Sequence, residues 1–216
     1  MWWRISVEKY QNIKRIQATT SDDIDRVAYL ICVIYNKKES DVNLWAIKKF
    51  IRYTDKLNKL FKTTPKAFPF FSPRLQTDAS KITLGQFVEL QYWIKGGVVF
   101  NLHFIAATLL NKKDHEKERE RMLKKSITSI LFSVSKFFES WQKLLTSYSN
   151  LFEIGEDPGE VHPFSEQYGW IYSATKVAEL EGITLDKAYD LPIIQALNDL
   201  AFLKSKQKFE QWQQEQ

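Results

Sequence analysis

The chain has 216 residues and is rich in aromatic side chains, with 15 Phe, 9 Tyr and 7 Trp, but it has only seven Gly and six Pro. This composition argues against a turn-rich β-sandwich and favours long helices. The single cysteine, Cys32, excludes an intramolecular disulfide and a paired-cysteine zinc site.

The net charge of +5 conceals a gradient, because residues 1–81 carry +8, residues 82–150 carry +4 and residues 151–216 carry −7. Such a gradient attracts the acidic end of one copy to the basic end of another, or folds the two ends together within one chain. Ordinary solvated faces that differ in sign are the alternative. The gradient is our reason for predicting a homo-oligomer.

Residues 1–62 are predicted to form a basic helical module. Thr20 to Asp23 supply a capping residue and first-turn acids, and the apolar spacing that follows predicts a helix over residues 21–35. Asp41 is predicted to cap a second helix, which carries six cations: Lys48, Lys49, Arg52, Lys56, Lys59 and Lys62. Trp45 and Tyr53 in this helix make nucleic-acid contact an alternative, although their helical spacing with Ile47 and Ile51 is what a core stripe requires.

Residues 63–81 are predicted to form a linker rich in proline and phenylalanine. Pro65, Pro69 and Pro73 are spaced four apart, and proline favours extended backbone at its own position and at the residue before it. Phe70 and Phe71 in this segment make it a candidate contact arm.

Residues 82–150 are predicted to form a helical hairpin followed by a long helix. Thr83 and Gln86 match a capping box at the start of the first helix, which Gly96 and Gly97 end. A second helix over residues 98–110 is predicted to pack back against the first. Residues 111–145 are predicted to form one long helix with a charged first half.

Residues 151–216 are predicted to form an acidic helical module. An acidic loop over residues 153–160 precedes an amphipathic helix over residues 168–180, which Gly182 ends. A short turn or helix follows, and Pro192 starts the last helix before a polar tail from residue 204 onward. The predicted fold is therefore an all-α multi-helix bundle, with helical subdomains joined by the Pro/Phe-rich linker.

No set of residues with catalytic or metal-binding spacing accompanies this pattern. His103, His115 and His162 are not spaced four apart, and Arg119 stands where a zinc-protease motif starting at His115 needs its second histidine. No phosphate-binding loop, nucleophile elbow or dinucleotide fingerprint is present. Cys32 lies among apolar residues, and the acidic loop lacks the pattern of a calcium-binding loop. The sequence predicts no enzyme, cofactor or metal.

Residues 1–12 lack the apolar stretch of a secretory signal. The most apolar window, residues 98–110, is well short of the roughly 20 residues that cross a bilayer. Synthesis in the cytosol, without a membrane partner, is the corresponding prediction.

Three stretches of the chain resemble phage proteins. Ser21 to Ile24, with Val33 to Glu39, resembles the helix, turn, helix unit of phage tail-assembly chaperones. Ile82 to Leu90 resembles a stretch found in morphogenesis proteins of Bacteroidetes phages, including crAss-like ones. Tyr168 to Trp170, with Leu191 to Leu197, is similar to the carboxy-terminal part of the same proteins.

The resemblance implies a non-enzymatic helical protein that binds other phage head and tail proteins in the host cytoplasm during assembly. As a structural component it would remain in the virion at the portal, connector or tail; as a tail-assembly chaperone it would leave before the particle is complete. A nucleic-acid-binding accessory protein is the third and less favoured hypothesis. The predicted interaction residues are Lys48, Lys49, Arg52, Phe70, Phe71, Trp93, Trp170 and Trp212.

Overall fold

The computed structural model describes residues 2–66, 68, 73–110, 114–152 and 163–214, and over these residues the chain is all-α, as predicted. The helices, in chain order, are α1 (Val7–Thr19), α2 (Asp23–Tyr35), α3 (Glu39–Asn43), α4 (Ile47–Phe61), α5 (Leu84–Lys95), α6 (Leu102–Leu110), α7 (His115–Leu123), α8 (Ile127–Ser147), α9 (Ser149–Phe152), α10 (Pro163–Glu181), α11 (Leu185–Tyr189) and α12 (Ile193–Gln214). Short 3-10 turns, Trp2–Arg4 and Ala79–Lys81, lie shortly before α1 and α5.

Local capping determines where α2 and α5 begin. The Asp22 carboxylate accepts hydrogen bonds from the backbone nitrogens of Ile24 and Asp25, at 2.8 and 2.9 Å. At α5 the Thr83 nitrogen donates to the Gln86 side chain at 3.0 Å, and the Gln86 nitrogen donates to the Thr83 hydroxyl at 3.2 Å. These two bonds confirm the predicted capping box, which satisfies backbone donors that lack a partner inside the helix.

The helix predicted to begin at Asp41 is instead interrupted between α3 and α4. Asp41 lies inside α3, and the chain turns at residues 44–46. The Trp45 ring packs against the Tyr53 ring with 4.7 Å between their centroids. In a continuous helix, residues eight apart are about 12 Å apart along the axis, so this ring contact requires the break.

The single long helix predicted over residues 111–145 is wrong, because α7 and α8 are separate helices. Their junction is held by an antiparallel backbone bridge between Ser6 and Ser126. The Val7 nitrogen donates to the Lys125 carbonyl and the Ile127 nitrogen donates to the Ile5 carbonyl, both at 2.9 Å. A helix running through residues 124–126 could not offer these groups to another segment, so tertiary pairing overrides the local helical pattern.

Further helix boundaries differ from the sequence prediction. Helix α10 begins at Pro163, whereas the predicted helix begins at residue 168. Residues 98–101 form turns before α6 begins at Leu102, whereas the predicted helix begins at residue 98. The predicted polar tail from residue 204 onward is helical and continues α12 to Gln214.

The chain forms two compact units that interleave in sequence. Unit 1 comprises residues 1–75 and 93–135, and unit 2 comprises residues 76–92 and 136–216. These divisions fall at other positions than the contiguous modules 1–62, 63–81, 82–150 and 151–216 predicted from the sequence. They differ because backbone bridges join segments more than 100 residues apart, which composition along the chain does not reveal.

Both units contain the same arrangement of helix starts. In unit 2 the bridge joins Thr83 to Pro192, with the Leu84 nitrogen bonded to the Leu191 carbonyl and the Ile193 nitrogen bonded to the Ile82 carbonyl, again at 2.9 Å. In each unit one bridged segment follows a 3-10 turn and the other follows a short helix, α7 or α11. Each bridge therefore places the starts of two longer helices side by side, α1 with α8 and α5 with α12.

Each unit has its own apolar core. In unit 1 the most deeply buried side chains include Val7, Ile13, Ile31, Leu57, Leu60, Leu102, Ile105 and Ile127. In unit 2 an aromatic cluster supplies much of the core: Phe87 stacks on Trp141 at 4.7 Å and meets Trp170 edge-on at 5.0 Å. Burial of rings this large is a major stabilising contribution in a unit of this size.

Candidate protein-interaction surfaces

The start of α4 exposes aliphatic side chains in unit 1. Leu44, Ile47 and Ile51 are 86%, 76% and 53% exposed and recur at spacings of three and four residues. Lys48 and Arg52, two of the predicted interaction residues, are exposed beside them. We call these five residues the α4 face. Ile47 and Ile51 were interpreted from the sequence as part of a core stripe; in the structure α4 buries Leu57 and Leu60 instead.

The aromatic residues near this face are engaged with one another. Tyr53 contacts Trp45 at 4.7 Å and Tyr35 at 4.8 Å between ring centroids. The Lys49 ammonium lies 4.1 Å from the Trp45 ring and the Lys56 ammonium lies 4.7 Å from the Tyr53 ring. These cation–π contacts hold the two lysines in place, and the ring contacts occupy faces that a nucleic-acid base would need.

The cations of α4 and of the residue after it, Lys62, form no ion pair with a carboxylate of the described residues. Within the described part of the chain, none of the six cations from Lys48 to Lys62 has a carboxylate within 4.0 Å. Asp55, the one acidic residue of α4, makes no such pair there either. The α4 face is therefore apolar at its centre and positively charged at its edges.

The tryptophans predicted to bind partners lie in three different settings. Trp93 is half-buried in unit 1, stacked on Phe104 at 3.9 Å with the Arg119 guanidinium 5.6 Å from its ring. Trp170 is half-buried in unit 2 against Phe87. Trp212 is 55% exposed near the end of α12.

Phe70 and Phe71, the predicted contact arm, lie outside the described residues.

Trp170 also lines a groove of about 570 Å³ in unit 2, which we call the α10 groove. Its apolar lining is Leu151, Trp170, Leu197, Leu200 and Leu203. Polar side chains of α10 and α12 surround it: Tyr172, Ser173, Lys176, Lys204, Lys206, Gln207 and Glu210. An apolar lining with a charged rim suits an amphipathic segment of another polypeptide.

The end of α12 exposes a second set of aromatic rings. Phe202, Phe209 and Trp212 are each slightly more than half exposed, and Phe209 stacks on Trp212 at 6.0 Å. All described side chains from Ser205 to Gln214 are exposed. Phe202 and Phe209 are not among the predicted interaction residues, and Phe209 lies in the segment predicted to be a polar tail. Their spacing of seven residues is a sign that they share one helix face.

A small acidic surface of unit 2 comprises Leu180 and Glu181 at the end of α10 together with Asp199 of α12, which neighbours Glu181. We call these three residues the acidic end of α10. Leu180 is 42% exposed, and the Glu181 carboxylate accepts a hydrogen bond from the Gln195 side chain at 3.0 Å. Partial burial raises the pKa of Asp199, and the charge of Glu181 and a hydrogen bond to it raise that pKa further. Among the described residues, neither carboxylate has a lysine or arginine within 4.0 Å, and Asp199 Oδ2 is buried without a hydrogen-bond partner.

The side chains that could take part in catalysis or metal binding do not form a cluster in the described part of the chain. Burial lowers the pKa of His103 to about 4, with smaller contributions from the charges of Arg15 and Arg119. Burial raises the pKa of the Cys32 thiol, and the carboxylates of Glu39 and Asp41 add to the increase, so the thiol is protonated near neutral pH. In the described part of the chain, no three His, Cys, Asp or Glu side chains come together as metal ligands.

Within the described ranges, every helix is too short or too polar to span a lipid bilayer. The chain matches no protein-family model, no curated protein and no solved structure at a significant level.

Proposed function

We propose that this protein is a non-enzymatic phage morphogenesis protein that remains in the virion, at the portal, connector or tail, and holds neighbouring polypeptides. The α4 face carries the proposal. Exposing three aliphatic side chains in water costs free energy that burial against a partner would recover, at roughly 25 cal/mol per Å² of apolar surface. The surrounding cations are positioned to select an acidic partner.

The α10 groove supports the chaperone hypothesis as a second candidate function. An amphipathic helix of an unassembled tail protein would place its apolar residues against Trp170, Leu200 and Leu203, with polar groups meeting the rim. A chaperone of this kind releases its client before the particle is complete. The two functions therefore differ in whether the protein is found in finished particles.

Mass spectrometry of purified particles tests this difference. If the protein is a virion component, it is present in a fixed ratio to the other head and tail proteins. Abundant expression in infected cells together with absence from particles would support the chaperone function instead. Absence from both particles and complexes with head or tail proteins would contradict both functions.

Replacing exposed side chains tests whether the α4 face holds the protein in the particle. Ile47→Ser with Ile51→Ser removes apolar surface without changing charge, and we expect particles that have lost this protein. Ile24→Ser is a matched control, because Ile24 is 70% exposed on α2 of the same unit. Normal retention of the double variant would show that another surface mediates attachment.

A further inference from the structure

The two units of this chain carry opposite charge. Unit 1 has 23 basic and 11 acidic side chains and unit 2 has 8 and 15, so their net charges are +12 and −7. This separation is sharper than the gradient along the sequence, because the basic residues 93–135 belong to unit 1. Two copies of the chain therefore attract each other when unit 1 of one copy faces unit 2 of the next.

The α4 face is the part of unit 1 best suited to such a contact. Among the described residues, Leu44 and Ile47 are the two most exposed large aliphatic side chains, and the cations beside them have no carboxylate partner there. Free lysine and arginine side chains beside apolar surface form charge-assisted hydrogen bonds with a carboxylate partner while the apolar residues lose contact with water.

The acidic end of α10 offers the complementary chemistry. Leu180 supplies exposed apolar surface, and Glu181 and Asp199 are two neighbouring acidic side chains, of which Glu181 is exposed. They lie near the C-terminus of α10, where the helix dipole adds negative potential. A cation placed beside the exposed Glu181 carboxylate would stabilise the negative charge of this pair.

We propose that the α4 face of one copy binds the acidic end of α10 in a second copy, so that the protein assembles head to tail. Lys48 and Arg52 pair with Glu181 and Asp199, and Ile47 and Ile51 cover Leu180. The two surfaces are different, so the contact is heterologous and each copy keeps one free surface of each kind. Such contacts continue from copy to copy and end only when a ring closes.

This inference deepens the proposed function by naming a partner for the α4 face, and it rests on that function only in identifying this face as a binding surface. The α12 aromatic residues are a less suitable complement for α4, because Lys204, Lys206 and Lys208 accompany them. A basic surface there would repel Lys48 and Arg52.

Sedimentation velocity of the full chain over a range of protein concentrations tests the assembly. We expect the sedimentation coefficient to rise with concentration at about 0.05 M salt, and the association to weaken at least about tenfold at about 0.5 M salt, where charges are screened over a few ångströms. A chain that stays monomeric at low salt at all concentrations would overturn the inference.

Two variants test the direction of the contact. Ile47→Ser with Ile51→Ser disables the α4 face, and Glu181→Lys disables the acidic end of α10; all three positions are exposed. Each variant alone is expected to be monomeric. Mixed in equal amounts they should form one-to-one dimers, because the first variant keeps its acidic end and the second keeps its α4 face. Circular dichroism checks folding, and Ile24→Ser is the control that should assemble like the wild type.

A mixture that remains monomeric would overturn head-to-tail assembly, as would normal association of the Ile47→Ser and Ile51→Ser variant. Association that is lost only in a Phe209→Ser and Trp212→Ser variant would overturn it in favour of the α12 rings. The proposed function fails separately: a monomeric wild-type chain that is still found in particles leaves that function intact. Conversely, the chain could be absent from particles and from complexes with head or tail proteins and still assemble in a salt-sensitive way. That result would contradict the proposed function but would leave head-to-tail assembly intact.

Discussion

His103 is buried in a hydrogen-bond network that favours the neutral imidazole. The Gln11 side-chain nitrogen donates to the carbonyls of Val99 and Phe100 at 3.2 and 2.8 Å, and it lies 3.0 Å from His103 Nδ1. With the Gln11 amide oriented in this way, its NH₂ group only donates, so Nδ1 must accept and carry no proton. Burial and the charges of Arg15 and Arg119 lower the pKa of His103 to about 4, in agreement with this assignment.

Stability should therefore fall as the pH drops from about 6.5 to about 4. In this window the unfolded chain protonates its histidine, with a pKa of 6.5, while the folded chain does not. The difference in bound protons favours the unfolded state by about 3 kcal/mol at most. Stability above pH 7 is unaffected by this group.

Urea unfolding of the wild type and of His103→Gln, measured from pH 7.5 to pH 4, isolates this contribution, because titrating carboxylates affect both proteins equally. Glutamine keeps a hydrogen-bond acceptor near Gln11 but does not titrate. The gap between the two stability curves should change by about 1 to 3 kcal/mol across the window. Parallel curves would mean that His103 titrates normally in the folded chain.

Two helical glycines of unit 2 should respond to alanine with opposite signs. A Cβ atom at Gly85 would lie 3.2 Å from the Tyr189 carbonyl oxygen and 3.3 Å from the Tyr189 Cβ, so a neighbouring backbone must move. A Cβ atom at Gly169 would meet nothing within 4 Å. Gly85→Ala should destabilise by about 1 kcal/mol through this crowding, whereas Gly169→Ala should stabilise by about 0.5 to 1 kcal/mol through helix propensity. Thermal unfolding of both variants measures the signs, and equal stabilisation by both would disprove close packing at Gly85.

At the scale of whole elements, each backbone bridge joins the starts of two helices, and this geometry allows one of the two bridges to contain a proline. Ser126 and Pro192 are equivalent positions, each following a short helix and preceding α8 or α12. On this side of each bridge the donor is the nitrogen of the next residue, Ile127 or Ile193, and the acceptor is the carbonyl of the preceding residue, Lys125 or Leu191. The nitrogen at the bridge position itself is therefore not needed.

Ser126→Pro should accordingly leave stability within about 1 kcal/mol of the wild type, since proline suits the start of a helix and restricts the unfolded chain. Ile127→Pro removes the nitrogen that donates to the Ile5 carbonyl and should destabilise by about 3 kcal/mol or more. Chemical denaturation of the two variants compares them directly. Equal losses of stability would show that the two bridges are not equivalent.

These bridges also show how far sequence patterns can predict the elements. Capping patterns are local, so Thr83 and Gln86 indicated the start of α5 correctly. The helix predicted over residues 21–35 begins two residues too early, because Asp22 is the capping residue of α2 and not part of its first turn. The break before α8 depends on residues 5–7, which are about 120 positions away, and no local pattern encodes it. The all-α fold could be predicted because it rests on composition and helical spacing, whereas the unit boundaries depend on long-range pairing.

The candidate surfaces were predictable only in part, for a similar reason. The density of lysines in α4 indicated Lys48 and Arg52, and both are exposed. Helical spacing predicts that Trp45, Ile47 and Ile51 lie on one stripe of a helix, but it does not show whether that stripe faces the core or the solvent. The α3–α4 break turns Trp45 towards Tyr53 and leaves the two isoleucines in solvent.

For the whole molecule, the charge of unit 1 raises the question of nucleic-acid binding. A net charge of +12 attracts any polyanion, and the exposed cations of α4 can neutralise phosphates. Preference for single strands requires aromatic rings that stack on bases. Trp45 and Tyr53 pack on each other and beneath lysines, so the structure offers charge at α4 without free stacking faces.

We therefore expect weak, purely electrostatic DNA binding, measured by fluorescence anisotropy with labelled duplex and single-stranded DNA of equal length. Both should bind similarly at about 0.05 M salt and lose at least about tenfold in affinity by about 0.2 M, because binding releases counterions. Lys48→Glu with Arg52→Glu should weaken binding about as much as the control Lys117→Glu with Lys124→Glu, which makes the same charge change elsewhere in unit 1. A single-strand preference that Trp45→Ala abolishes, or a loss confined to the α4 variant, would instead identify α4 as a nucleic-acid site.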